Sequence, residues 1–146
     1  MRKLILFFLA FIPAVSFSQI KGEIKLNWFE KKEMYYGTNQ IVIPYFSGDE
    51  FHYDDFSQSI RAHYIVPSYR GFQDGDLQVN SIVYESIDKE LLGDLNLNNL
   101  PTKADFNLVL STARDLVTAQ IIFSPIIKDD FGFKRIISFN YSIISN

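Results

Sequence analysis

Apolar and polar residues alternate along much of the chain, with the period of two that a strand with one buried face requires. The alternation is clear in residues 24–28 and in residues 60–66, which end at Pro67. It returns in residues 77–87, directly after a turn signal at residues 73–76. Each of these three segments is therefore predicted to be a strand.

The last third of the chain has the most regular pattern. Residues 106–112 and 117–123 flank a short polar stretch and predict a β-hairpin. Residues 129–132 predict a further turn, and a long strand then runs to the end of the chain. The residues predicted to share one face of that strand are Phe133, Arg135, Ile137, Phe139, Tyr141 and Ile143.

Helical spacing is confined to residues 89–92, about one turn. The apolar run at residues 41–43 is a further short strand, which Pro44 is expected to end or to place at a sheet edge. The 14 Phe, 8 Tyr and single Trp also suit half-buried pleated surfaces. The pattern as a whole predicts an all-β fold, an antiparallel sandwich or barrel.

The first residues differ from the rest. Two basic residues precede a 12-residue apolar run, residues 4–15, and serines follow at the −3 and −1 positions of a cleavage point. This pattern predicts a Sec signal peptide at residues 1–18, since a membrane span needs roughly 20 apolar residues. The alternative, a buried N-terminal helix, lacks a polar face. We expect a single β-rich domain at residues 19–146, exported to the periplasm, outer membrane or cell surface.

Composition excludes several classes of function. The chain has no cysteine, which excludes disulfides, a lipid-anchored cysteine, a thiolate nucleophile and thiolate metal sites. Loss of the two basic residues of the signal leaves 12 basic against 17 acidic residues, a net charge of −5, which argues against nucleic acid as a partner. No later segment has 18 consecutive apolar residues, so no transmembrane segment is expected in the mature chain.

The two histidines, His52 and His63, are the first candidates for metal chemistry. A zinc site needs three or four ligands, and an acidic cluster surrounds the first histidine. The residues of that cluster are Asp49, Glu50, Asp54 and Asp55. The same stretch is also typical of a solvated turn, which is the preferred interpretation, and His63 is expected to be an exposed strand residue.

A second candidate resembles a calcium-binding loop. The residues at positions 1, 3, 5 and 12 of that pattern are Asp94, Asn96, Asn98 and Asp105. Position 6 is Asn99 where the sharp turn needs glycine, position 12 is not glutamate, and Pro101 interrupts the loop. An asparagine-rich connecting loop is the better interpretation.

No catalytic constellation is predicted. Ser57 and Ser59 lie near His63 in the sequence, but no Gly-x-Ser-x-Gly elbow is present. The carboxylate pairs, at residues 54–55 and 129–130, are adjacent residues that point apart on a strand. We therefore predict no catalytic, cofactor-binding or metal-binding residue, and no cofactor.

Four segments, taken in order along the chain, resemble the N-terminal region of flavobacterial type IX secretion sortases, the PorU proteins. They are residues 22–28, 92–95, 123–128 and 132–141. The resemblance lies in their order and spacing over about 120 residues.

The resemblance implies a specific setting. Proteins of this family are gingipain-like cysteine peptidases on the outer membrane, which remove the C-terminal signal of type IX cargo and attach the cargo to lipopolysaccharide. A β-rich module precedes their peptidase domain, whose catalytic His and Cys lie far downstream. Because this chain has no cysteine and ends before such a domain, no catalytic residue can be carried over, and the chain is expected to be a truncated N-terminal module.

Two hypotheses for function follow. In the first, the module packs on the downstream peptidase domain or on an outer-membrane partner, using its aromatic residues and an unpaired edge of the last strand, residues 133–144. In the second, it is a self-sufficient exported module that binds carbohydrate or protein through an aromatic stacking platform. The residues proposed for that platform are Trp28, Tyr35, Tyr36, Tyr45 and Tyr53. Core and cross-strand packing of these rings is the preferred interpretation over a platform.

Overall fold

The structure of the chain is a computed structural model. It describes residues 19–48, 50–67, 69, 74–114 and 116–145. The predicted signal peptide, residues 1–18, lies outside the described residues.

The described residues form ten strands joined by turns and two short 3₁₀ helices. The strands are β1 (Gln19–Lys25), β2 (Trp28–Tyr36), β3 (Asn39–Phe46), β4 (Phe51–Asp54), β5 (Ser59–Ile65), β6 (Asp76–Ile87), β7 (Asn107–Ala113), β8 (Leu116–Phe123), β9 (Ile126–Asp129) and β10 (Gly132–Ile144). The 3₁₀ helices are Lys89–Leu92 and Leu97–Asn99. Every strand pair is antiparallel. The predicted all-β class is confirmed.

The strands form two four-stranded sheets and a two-stranded ribbon. The first sheet has the order β1–β10–β6, and β9 pairs with the beginning of β10. The second sheet has the order β4–β5–β8–β7, and the ribbon is the β2–β3 hairpin. Within the described part of the chain the sheets do not close into a barrel.

The main core lies between the two sheets. Ile121 and Phe123 of β8 meet Phe139 and Ile143 of β10 there, and all four are fully buried. The rings of Phe123 and Phe139 meet edge to face with centroids 5.0 Å apart. Because each such side chain contributes about 1.5–3 kcal/mol on burial, this contact between the sheets contributes substantially to stability.

A second core cluster lies beneath the 3₁₀ helix at Lys89–Leu92. Its buried members are Ile43, Ile60, Ile87, Leu92, Leu95 and Ile126. Gly93 follows with φ of +55°, and a Cβ there would collide with the carbonyl oxygen of Val42. The next residue, Asp94, exchanges hydrogen bonds with the backbone of Val42: its N–H donates to the carbonyl (2.9 Å) and its carboxylate accepts from the amide (2.7 Å). The single helical turn predicted at residues 89–92 is confirmed.

The final strand differs from its prediction in two ways. The register with β6 shifts on both sides of Ser138, so the buried side chain is Ile136 and not the predicted Ile137. A bulge of this kind inserts an extra residue and moves the following side chains to the other face. Residues 133–144 were also expected to present an unpaired edge, and this is wrong. β10 is the central strand of the first sheet, with β1 and β9 on one side and β6 on the other.

Other boundaries were predicted with mixed success. Strands β5 and β6 and the β7–β8 hairpin lie where the alternation placed them. Residues 24–28 do not form one strand, because the chain leaves the first sheet at Leu26 and enters the ribbon at Trp28. Pro44 lies inside β3, at the point where the register of the ribbon shifts. β2 was missed because both of its faces are largely exposed and it shows no alternation, and β4 and β9 were missed because four residues are too few to display a period.

Candidate functional site

The two histidines form a stacked pair on the second sheet. The rings of His52 on β4 and His63 on β5 are nearly parallel, with centroids 4.0 Å apart. His63 is half-buried, not exposed as predicted, and its backbone N–H donates to the carbonyl of Glu50 (2.8 Å). Burial, followed by the charges of His52 and Arg61, lowers the pKa of the His63 imidazole.

Among the residues that the structure describes, no three His, Cys, Asp or Glu side chains are grouped so as to hold a metal ion. One residue of the zinc hypothesis, Asp49, lies outside them. Of the described acidic residues near His52, Glu50 contributes a backbone carbonyl to His63 and Asp54 closes a turn.

Ser57 and Ser59 form a turn with Asp54 and not a catalytic unit with His63. The Ser57 hydroxyl donates to the Asp54 carboxylate (2.6 Å), which also accepts from the amide of Phe56 (3.0 Å). The hydrogen bond from Ser57, with further bonds from the backbone, lowers the pKa of Asp54. A carboxylate held in this way closes the β4–β5 connection.

The residues of the calcium-loop pattern serve separate structural contacts. Asp94 binds the backbone of Val42, and Asn96 accepts from the amide of Asn98 (3.1 Å). Asp105 accepts from the Arg61 guanidinium (3.1 Å) and from the amide of Ser124 (2.7 Å). These side chains hold the connecting segment against the sheets, in agreement with its interpretation as a connecting loop.

The five rings of the proposed platform are divided between different environments. Trp28 is half-buried, its indole N–H donates to the carbonyl of Ile136 (2.7 Å), and its ring meets Phe46 edge to face at 5.1 Å. Tyr45 packs on Phe51 at 5.0 Å.

The remaining three rings do not share one surface. Tyr36 meets Tyr53 edge to face at 5.5 Å. Tyr35 is 75 % exposed, but it is adjacent to Tyr36 in the ribbon, and adjacent residues of a strand point to opposite faces. Core and cross-strand packing therefore accounts for four of the five rings.

A cleft at the base of the ribbon, here called the aromatic cleft, has a volume of about 230 Å³. Its lining residues are Trp28, Phe29, Glu30, Lys31, Pro44, Ile87, Leu91 and Arg135. Two large apolar residues of this lining are partly exposed: Phe29, whose ring stacks on Tyr45 with centroids 6.1 Å apart, is 56 % exposed, and Leu91 is 39 % exposed.

Two cations of the aromatic cleft are held in place by their contacts. The guanidinium of Arg135 lies over the Trp28 ring at 5.4 Å and forms an ion pair with Glu85 (2.5 Å). The ammonium of Lys31 donates to the carbonyl of Glu90 (3.0 Å). The cleft combines apolar side chains with a fixed guanidinium, an arrangement suited to recognition.

A second depression, here called the amide groove, crosses the outer face of the first sheet. It has a volume of about 540 Å³ and is lined by Gln19, Lys21, Gly22, Gln78, Asn80, Asn140, Tyr141 and Ser142. The strand register places Lys21, Ser142 and Gln78 in one row across the sheet and Asn140 beside Asn80 in the next. Alternation along β1, β10 and β6 therefore puts amide groups together on one surface.

Sequence reasoning identified Trp28 but missed Phe29, Leu91 and Arg135. Arg135 carried a usable signal, because a charged residue within the apolar pattern of the last strand needs a partner or a function. Phe29 and Leu91 carried none, since an apolar residue is equally expected in a core.

No family model, no curated protein and no solved structure matches this chain. Among the residues that the structure describes, no helix has the length and apolar character to cross a membrane.

Proposed function

We propose that this chain is a non-catalytic β module that docks a protein partner through the aromatic cleft. The exposure of Phe29 and Leu91 beside Trp28 and Arg135 is the observation that supports it. Tryptophan and arginine are enriched among the residues that dominate protein interfaces, and exposed apolar side chains around them favour burial. Docking, and not chemistry, is the function that this arrangement supports best.

We propose further that the module belongs to a type IX secretion sortase-like protein. Its partner is then the downstream peptidase domain or an outer-membrane component, and it supports removal of the C-terminal signal and surface attachment of cargo. Trp28 and Arg135 lie in two of the four segments that resemble these sortases, and they contact one another in the cleft. That contact supports a link between the resemblance and the docking surface.

Binding to a type IX sortase peptidase domain from the same genome tests this proposal. We expect calorimetry to detect binding by residues 19–146, and Phe29→Ser to weaken it by about tenfold or more, because a central apolar contact is lost. Val83→Ser is the matched control, since Val83 is 50 % exposed on β6 and lies outside the cleft. Absence of binding by the wild-type chain, or equal losses in the two variants, would contradict the proposal.

The size of the native polypeptide separately tests whether this chain is a module of a larger protein. An antibody raised against residues 19–146 is expected to detect, in its own cells, a protein far larger than the 16.9 kDa of this chain. A single band at or slightly below 16.9 kDa would instead favour a self-sufficient protein.

The amide groove favours a second candidate function, a self-sufficient exported module that binds carbohydrate. Amide side chains donate and accept hydrogen bonds at once, as adjacent sugar hydroxyls require. Affinity electrophoresis in gels that contain soluble polysaccharides would detect retardation, and an Asn80→Ala/Asn140→Ala variant should lose it. A wild-type chain that migrates equally in every gel would exclude this function for the polysaccharides used.

A further inference from the structure

Among the described residues, one edge of the second sheet, strand β7, has no pairing strand. β7 pairs with β8 on one side only, through a register that runs from Asn107 opposite Ile122 to Ala113 opposite Leu116. Among the described residues, no backbone-to-backbone hydrogen bond outside this ladder involves residues 107–113, and the Ser111 carbonyl accepts from the Thr118 hydroxyl of β8 (3.4 Å). Within the described part of the chain, the outward N–H and C=O groups of β7 therefore have no strand partner, as at an unprotected sheet edge.

The other edge strands carry features that discourage pairing. β1 has three charged side chains in seven residues, and β4 and β9 are only four residues long. β6 has a register shift near Ser81, whose φ is +54°. In the ribbon, β2 is rich in charge, while β3 contains Pro44 and is covered by Asp94. Charges, short length, bulges and proline are the usual means of blocking an edge.

β7 has none of these features. Its sequence, NLVLSTA, contains no charged residue and no proline, and its pairing with β8 is unbroken. Leu108 and Leu110 pack against the main core but stay half-buried, because the sheet ends at this strand. Val109, on the outer face, is 41 % exposed. An added strand would complete the burial of the two leucines.

We propose that a second copy of this chain adds to this edge, by antiparallel pairing of β7 with β7 about a two-fold axis at Leu110. In that register Leu110 lies opposite its own copy, Leu108 lies opposite Thr112, and Val109 lies opposite Ser111. The core-facing rows are apolar or β-branched, and no like charges meet, because the strand has no charge. The two second sheets then form one continuous eight-stranded sheet.

The strength of this pairing follows from its size. A single seven-residue edge extends over about 24 Å and gives an interface at the small end of specific interfaces. Dimerisation is therefore weak and depends on concentration. It uses no residue of the aromatic cleft, so it is independent of the proposed docking function.

Charged substitutions at Val109 and Ser111 test the register by sedimentation equilibrium of residues 19–146. Val109→Lys/Ser111→Lys places two lysine pairs across the seam and should weaken dimerisation by about tenfold or more. Val109→Lys/Ser111→Glu places opposite charges in the same positions and should restore it. Both positions are exposed, and circular dichroism verifies that each variant is folded. A monomeric wild-type chain at millimolar concentration, or equal effects of the two variants, would overturn the proposal.

Disulfide trapping provides a second test. Because the chain has no cysteine, every disulfide that forms involves an introduced residue. Residues directly opposite in an antiparallel pair have Cα atoms roughly 4.5–5.5 Å apart, which a disulfide can span. Under oxidation, a mixture of Val109→Cys and Ser111→Cys chains should form a mixed dimer. The control is a mixture of Val109→Cys and Glu23→Cys chains, which should form a mixed dimer more slowly because Glu23 lies on the charged edge strand β1. Equal rates in the two mixtures would overturn the proposed register.

Discussion

At the scale of single residues, two glycines at positive φ differ in the space around them. Gly93 and Gly37 have similar φ angles, +55° and +60°. A Cβ on Gly93 would collide with the carbonyl oxygen of Val42, whereas nothing lies within 4 Å of a Cβ on Gly37. The first glycine is thus required for close packing as well as for conformation, and the second for conformation alone.

We therefore expect Gly93→Ala to destabilise the protein by about 3 kcal/mol and Gly37→Ala by about 1 kcal/mol. Both variants place an alanine at positive φ, but Gly93 also has a ψ of −127°, which alanine rarely adopts, and only there must β3 move. Urea denaturation, with the midpoint and slope measured for each variant, checks the difference. Equal losses would mean that β3 yields without cost, and that the close contact at Gly93 does not matter.

At the scale of elements, the stacked histidines make the β4–β5 pair sensitive to pH. The pKa of His63 is lowered by burial and by the charges of His52 and Arg61. Since the folded pKa lies below the unfolded value of 6.5, the unfolded chain binds more protons between the two values. The contribution of His63 to the free energy of unfolding is therefore constant above about pH 6.5, and it decreases as the pH falls below that value.

Accordingly, the free energy of unfolding should decrease between pH 7 and pH 5, and His63→Gln should reduce that decrease. His63 is one of two histidines in the chain, and side chains of other types rarely titrate in this window. Denaturant midpoints at half-unit pH intervals provide the measurement. A variant that retains the full wild-type slope would show that the slope does not come from His63.

At the scale of the whole molecule, the two core clusters are joined by shared residues. Trp28 packs against both, and so does Phe51. Trp28 is also the single tryptophan of the chain, so its fluorescence reports on the boundary between the clusters. If the clusters unfold together, tryptophan fluorescence and far-ultraviolet circular dichroism will give the same transition.

Leu92 and Leu91 form a matched pair for testing this cooperativity. Leu92 is completely buried in the second cluster, whereas its neighbour is partly exposed. Leu92→Ala should cost about 2–5 kcal/mol and keep one coincident transition, and Leu91→Ala should cost less than about 1 kcal/mol. Separate transitions for the two probes in Leu92→Ala would show that the second cluster unfolds alone.

Much of the fold could be predicted because its signals are local. The strands β5 and β6 and the β7–β8 hairpin follow from alternation and turn residues within a few positions of each other. The bulge in β10 could not be predicted in this way. It depends on the pairing of Ser138 with Val83, 55 residues away in the sequence (138 − 83), which alternation within β10 does not report.

The candidate site was less accessible to sequence reasoning than the fold. The aromatic cleft joins Phe29, Leu91 and Arg135, which come from three separate segments of the chain. Nothing near each of them in the sequence indicates that the three meet. The division of the tyrosines between packed and exposed positions likewise depends on which strands lie against the ribbon.

By itself, the sequence determined the all-β class, the positions of the regular strands and the absence of thiol chemistry, because period and composition are properties of short segments. Only the tertiary structure decided that β10 is central, that β7 is an open edge and that the aromatic cleft exists. These features arise from pairing between distant segments, as when Ile24 lies opposite Phe139. Which distant segments pair is decided by the burial of their apolar side chains in a shared core, and that burial depends on the whole chain.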